Sequence, residues 1–197
     1  MSGEEKNKIL IYGGVAAIFV GIGLLFAIRN RRRIVKFSET LAGQTEIAGN
    51  AGFTNEEFQK LMNEVGWNPG DPWCVYFAKL VWYNMAPSWL KDKILKKVSG
   101  SSLQTFENLK DDPNFRISAI PQAGDMAIWR YYENGNPQWN GHAGIVKRLG
   151  FGNFTTLEGN TSETGIGNEG YVVAEKTRSI DFSNKNGLRL VGFIRFA

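Results

Sequence analysis

Gly70-Asp71-Pro72-Trp73-Cys74-Val75-Tyr76-Phe77 is the stretch that orders the rest of the chain. With Asn68-Pro69 before it, it reads as a turn running into a helix. Asp71 suits the N-cap, where a short carboxylate accepts the unpaired N–H groups of the first turn. Pro72 suits the first helical position, where its missing N–H is no loss and its φ is already helical. Val75, Ala78, Leu80, Val81 and Trp82 continue the helix. Cys74 then takes the third helical position, where free N–H groups and the macrodipole favour a thiolate. It is also the only cysteine among 197 residues.

On the N-terminal side, residues 34–52 read as a polar connection with a helical turn before Gly43. Asn55 to Met62 reads as a helix, with Thr54 as N-cap and Glu57 in the capping-box position. Residues 88–97 and 102–110 read as two short polar helices. From residue 115 the texture changes. Met126 to Trp129, His142 to Val146, Phe154 to Leu157, Tyr171 to Ala174 and Leu188 to Phe196 are short β-prone runs punctuated by Gly, Asn and Pro. Helices first and strands afterwards imply an α+β domain with an antiparallel sheet.

The only histidine, His142, stands in Gly141-His142-Ala143-Gly144-Ile145-Val146, a turn entering a strand. One cysteine and one histidine far apart in sequence are a candidate nucleophile and base. A third polar group on the other imidazole nitrogen would fix the ring's tautomer and orientation. Glu158 or Asn160 suits that role from an adjacent strand, and residues two apart on a strand share a face. Of the tryptophans, Trp82 and Trp129 read as core. Trp73 and Trp139 flank the cysteine and the histidine and read as candidates to line a substrate groove.

Composition narrows the classes. One cysteine excludes an intrachain disulfide and a cysteine-cluster zinc site, and one histidine leaves little for a histidine-based one. No metal or cofactor is expected. The net charge of +4 is concentrated: residues 1–37 carry seven Lys or Arg against two Glu, and the remainder is net negative by one. No electrostatic footprint for nucleic acid follows.

Ile9 to Ile28 is uncharged over 20 residues, about 30 Å at 1.5 Å per residue, and Arg29-Asn30-Arg31-Arg32-Arg33 follows it. A signal peptide has a shorter apolar region ending in small residues. The run therefore reads as an uncleaved transmembrane anchor. Gly13, Ala17 and Gly21 recur every four residues, a spacing that permits a homodimer through close helix approach. The expected organisation is an anchor over 1–33, a connection over 34–41 and a catalytic domain over 42–197.

Four pieces together resemble the CHAP family, the cysteine- and histidine-dependent amidohydrolases and peptidases related to papain-like and NlpC/P60 peptidoglycan hydrolases. They are Gly70 to Phe77, Pro121-Gln122-Ala123-Gly124-Asp125-Met126-Ala127, Gly141 to Val146, and Thr156-Leu157-Glu158-Gly159-Asn160-Thr161. Each is weak alone; four in order make the resemblance, which runs from about Ala42 to Phe196. It implies a papain-like fold with N-terminal helices packed on an antiparallel sheet. It also implies a nucleophile at Cys74, a base at His142, and Glu158 and Asn160 as orienting partners. Gly124-Asp125 looks like the family's turn into the first core strand. Some relatives carry an acidic calcium loop before the cysteine; Gly66 to Trp73 offers only Asp71, so no calcium is expected.

The sequence thus leads to a membrane-anchored thiol hydrolase that cuts amide bonds of peptidoglycan, in phage lysis or virion entry, or in bacterial wall remodelling. Other readings stay open: an acyltransferase or peptidase on another amide, and a catalytically silent structural membrane protein. The basic cluster after the apolar run favours a cytoplasmic domain, whereas the substrate requires one facing the cell wall. Substrate access is the stronger demand, and a wall-facing domain on a single-pass anchor is expected.

Overall fold

The computed structural model describes residues 29–162 and 170–197. The apolar run over residues 9–28 and its small-residue stripe at Gly13, Ala17 and Gly21 lie outside the described residues. Among the described residues no helix is long and apolar enough to cross a membrane. The expectation of a domain preceded by a transmembrane helix, in a single-pass membrane protein with a wall-facing domain, is corrected on that finding. Among the described residues no helix exceeds 12 residues, about 18 Å at 1.5 Å per residue, against about 30 Å for a bilayer core. What is present is a mixed α+β domain with an antiparallel sheet.

Residues 29–40 are helical (α1), longer than the single turn expected there. Ile34, Ser38 and Leu41 fall on one face at spacings of four and three, and all are buried against the domain. Glu46–Ile47 (β1) and Gly52–Phe53 (β2) make a small antiparallel pair. Glu56–Glu64 (α2) follows, capped by Asn55 rather than Thr54. Asn55 Oδ1 accepts from the N–H groups of Glu57 and Phe58 at 2.9 and 3.1 Å. Thr54 is taken up elsewhere, its hydroxyl 2.8 Å from that of Thr45.

Cys74–Met85 (α3) is the central helix, with Cys74 through Val75 and Phe77 through Trp82 all buried. Ser88–Lys97 (α4) and Ser102–Leu109 (α5) match the two short helices expected, and Ser101 caps the second through the N–H of Gln104. The sheet has the order β3-β8-β4-β5-β6-β7, all antiparallel. Its strands are Phe115–Ser118 (β3), Met126–Glu133 (β4), Asn136–Leu149 (β5), Asn153–Thr161 (β6), Val172–Ser179 (β7) and Gly187–Phe196 (β8).

Alternation along the strands makes two cores. Met126, Ile128, Ala143, Ile145, Leu157 and Ile194 pack with the helices, around Trp67, Phe77 and Trp82. Ala127, Trp129, Val146, Phe154, Leu190 and Phe193 form a second cluster. Burying a large apolar side chain contributes roughly 1.5–3 kcal/mol, so the first cluster carries most of the stability and fixes α3 against β5 and β6. Gly124 turns the chain into β4 at φ +85, in the left-handed region that favours glycine. Its N–H donates to the carbonyl of Val146 at 2.8 Å, and the Trp82 indole donates to its carbonyl at 3.1 Å.

Candidate active site

The loop before α3 is tied down at several points. Gly70 N–H donates to the Asn50 carbonyl at 2.7 Å, and the Trp67 indole donates to the Asp71 carbonyl at 2.9 Å. Asp71 is not the helix cap. Its carboxylate accepts from Asn68 N–H at 3.3 Å and interacts with Tyr76, and the helix begins at Cys74 with Trp73 as an N-cap that makes no side-chain cap bond. Cys74 is therefore the first helical residue, not the third, because the turn closes on Asp71 before helical geometry starts. The dipole argument for a thiolate survives the shift, since the first turn still carries free N–H groups.

Trp73 is fully buried. Its ring centroid lies 5.0 Å from Phe53 and 6.2 Å from Phe58, and its indole N–H donates to the Glu46 carboxylate. It positions the start of α3 and leaves no open face for a ligand. Trp139 is 86% exposed on β5, three residues from His142.

Across the sheet, β5 and β6 bring His142 and Glu158 together. Nε2 of His142 and Oε2 of Glu158 are 2.9 Å apart, with the carboxylate fully buried and the imidazole 12% exposed. Nε2 is engaged by Glu158, and Cys74 lies close enough to His142 for the thiol and the imidazole to shift one another. The backbone N–H groups of Val75 and Ala143 act on the thiol in the same sense as His142, favouring its charged form. Two glycines make this convergence possible. A Cβ on Gly144 would stand 2.7 Å from Glu158 Cγ, and one on Gly159 would stand 2.6 Å from both Phe77 Cβ and Trp73 Cζ3. The first lets the carboxylate lie against β5, and the second lets β6 approach the start of α3.

Charge on the three groups is mutually set. Burial alone would raise the Cys74 thiol, but the charge and hydrogen bond of His142, with the two backbone donors, bring it below its ordinary value. Burial alone would lower His142, but Cys74 and Glu158 push it up to about 10. Burial alone would raise Glu158, but Arg178 and His142 hold it well below the usual carboxylate range. The three directions together favour a protonated imidazole between a lowered thiol and a carboxylate.

Asn160 is placed differently from Glu158. It sits at φ +51 beside a register shift that lies between Glu158 and Thr161, so simple alternation fails there. Its Oδ1 is buried with no hydrogen-bond partner among the described residues. Asp125 lies apart, at the turn into β4, accepting from Gln122 N–H at 2.8 Å and from Arg195 at 2.6 Å. No group of three or more metal-ligating side chains occurs among the described residues.

Two side chains at the site were not anticipated. Arg178 on β7 donates from Nε to Oε1 of Glu158 at 2.8 Å and from Nη2 to Oε2. The Thr156 hydroxyl donates to Oε1 at 2.5 Å. Thr156 could have been found, since it stands two before Glu158 on one strand face. Arg178 carries no local signal, because only the β6–β7 register places it opposite Phe154 and within reach of the carboxylate.

The family model described as the CHAP domain matches residues 66–160, a span that starts before Cys74 and ends after Glu158. No curated protein and no solved structure matches the chain.

Proposed function

This chain belongs to the CHAP-domain family, and on that premise we propose that it is a thiol hydrolase cleaving amide bonds of peptidoglycan. Family membership supports the substrate. The observation that carries the mechanism is the 2.9 Å bond between His142 and Glu158, with Cys74 at the start of α3 coupled to the same imidazole, which fits a nucleophile, a base and an orienting carboxylate.

Cys74 Sγ, as thiolate, attacks the scissile carbonyl carbon. The C=O electron pair moves to oxygen, where the backbone N–H of Cys74 at the start of α3 stabilises the charge. The amide C–N bond then breaks, and the imidazolium of His142 passes its proton to the leaving amine. A water, deprotonated by the now neutral His142, attacks the thioester, and the sulfur departs as thiolate. Glu158 keeps the imidazole oriented and balances its charge in both steps. Trp139, exposed on β5 three residues before His142, offers a flat apolar face on which a sugar ring of the polymer would stack.

Incubation with purified peptidoglycan tests the reading. Solubilisation with release of new primary amines is expected. Release of new reducing sugar ends without amines would point to glycosidic cleavage and overturn it.

A further inference from the structure

We propose that Arg178 is a positioning residue of this thiol site: by gripping both oxygens of Glu158 it keeps that buried side chain a carboxylate and aims it at His142. The proposal rests on the thiol-hydrolase reading of Cys74 and His142.

The geometry begins with the strand register. Phe154, Thr156 and Glu158 lie opposite Arg178, Lys176 and Ala174 respectively. Arg178 therefore starts four register pairs away from Glu158 along the sheet, and only a long side chain reaches back. It arrives as a fork, Nε to Oε1 at 2.8 Å and Nη2 to Oε2. A planar guanidinium matches a carboxylate with two parallel bonds, whereas an ammonium is a single point charge.

Trp129 holds the fork in place. Its ring centroid is 5.6 Å from the Arg178 guanidinium carbon and 5.9 Å from the His142 ring, and it stacks on Phe154 at 6.0 Å. One buried indole thus walls both the arginine and the imidazole that flank Glu158. The charged and titratable groups facing the carboxylate are His142 from β5 and Arg178 from β7, with Cys74 of α3 acting through His142. On its outer side Arg178 borders a cavity of about 340 Å³ that Asp181 and Arg189 also line. Those two face each other at 3.7 Å, so Asp181 is occupied and Glu158 is the acid Arg178 serves.

A carboxyl group with no exposed surface takes up a proton unless charge and hydrogen bonds oppose it. Without Arg178, only His142 and the uncharged Thr156 hydroxyl would oppose it, and a neutral Glu158 supplies no counter-charge to an imidazolium. The proton shared by Cys74 and His142 would then return to sulfur. Arg178 acts on the nucleophile through two intermediaries and touches no reacting atom.

Cys74 is the only cysteine in the chain, so alkylation by iodoacetamide reads this thiolate alone and needs no substrate. The rate would be followed from pH 4 to 10 in the full chain, in Arg178→Met and in Arg178→Lys. The parent should alkylate along a profile whose midpoint lies below the ordinary thiol value. Arg178→Met should move that midpoint up by about one pH unit or more and slow alkylation at neutral pH about tenfold. Arg178→Lys should fall between, keeping the charge but losing the fork.

A folded Arg178→Met protein with a profile superimposed on the parent's overturns the proposal. Should that variant not fold, Arg178→Lys decides, and an unshifted midpoint there overturns it equally. A parent with an ordinary thiol profile overturns it as well. A parent with the depressed profile that releases nothing from peptidoglycan sinks the substrate reading and leaves the role of Arg178 standing.

Discussion

A Cβ added to Gly144 would lie 2.7 Å from Cγ of Glu158 and 3.1 Å from the Leu157 carbonyl oxygen. That closeness lets a carboxylate on β6 reach an imidazole on β5. Gly144→Ala should therefore displace Glu158 more than it disturbs the fold. Overpacking of this kind costs roughly 1–3 kcal/mol. The expected result is a folded protein whose peptidoglycan turnover drops at least tenfold, read by turbidity loss beside a denaturation curve. Parent-level turnover would mean that Glu158 need not sit where the structure puts it.

Glu158 itself gives a graded series. Glu158→Gln can still orient the ring but cannot balance imidazolium charge, so it should lose less activity than His142→Ala, which should lose nearly all. Glu158→Ala also strips the buried partner from Arg178, and breaking such a pair typically costs about 3–5 kcal/mol. Because Arg178 is 28% exposed, the lower end of that range is expected. A Glu158→Ala variant as stable as the parent in urea would show that the Arg178–Glu158 pair contributes little.

The proton shared by Cys74 and His142 sets a pH dependence whose sign follows from both groups. Unfolded, the histidine titrates near 6.5 and the cysteine near 9.0; folded, the imidazole holds the proton up to about 10. Below 6.5 the unfolded chain binds both protons, and wherever the lowered Cys74 thiol has already ionised in the folded chain the pair binds one, so stability there rises with pH. Between 6.5 and 9.0 both bind one, and the pair contributes no slope. From 9.0 to about 10 the folded pair alone keeps its proton, and stability falls by roughly 1 kcal/mol. Subtracting the urea midpoints of Cys74→Ala/His142→Gln from the parent's isolates this profile. A slope between 7 and 8.5 would contradict the ion pair.

Activity should persist in EDTA. The loop from Gly66 to Trp73 contributes one carboxylate, and Asp71 spends it on Asn68 and Tyr76. Loss of turnover in EDTA, restored by calcium and not by magnesium, would show a metal role for that loop.

Much of this site could be read in the chain because its parts are singular or locally patterned. A lone cysteine at a helix start, a lone histidine after a glycine and the polar pair Glu158 and Asn160 are visible without tertiary knowledge. The limits have physical causes. Asp71 looked like a cap, yet its carbonyl and carboxylate are engaged by Trp67 and Asn68, which delays the helix to Cys74. Thr54 and Asn55 both suit an N-cap, and the bond to Thr45 removes the first. Trp73 beside the nucleophile suggested a groove wall, but the pocket formed by Phe53 and Phe58 swallows it. Asn160 shares strand parity with Glu158, and a bulge undoes that parity. Arg178 is invisible because a register, not a motif, brings it to the carboxylate.

On the proposed mechanism Cys74 opens an amide of peptidoglycan. Purified peptidoglycan digested with the parent chain or with Cys74→Ala, followed by mass analysis of the fragments, tests it most directly. Fragments bearing new amine and carboxyl ends at an amide bond are expected with the parent, and none with a folded Cys74→Ala protein. The same fragments from Cys74→Ala, or fragments cut only between sugars, would contradict it.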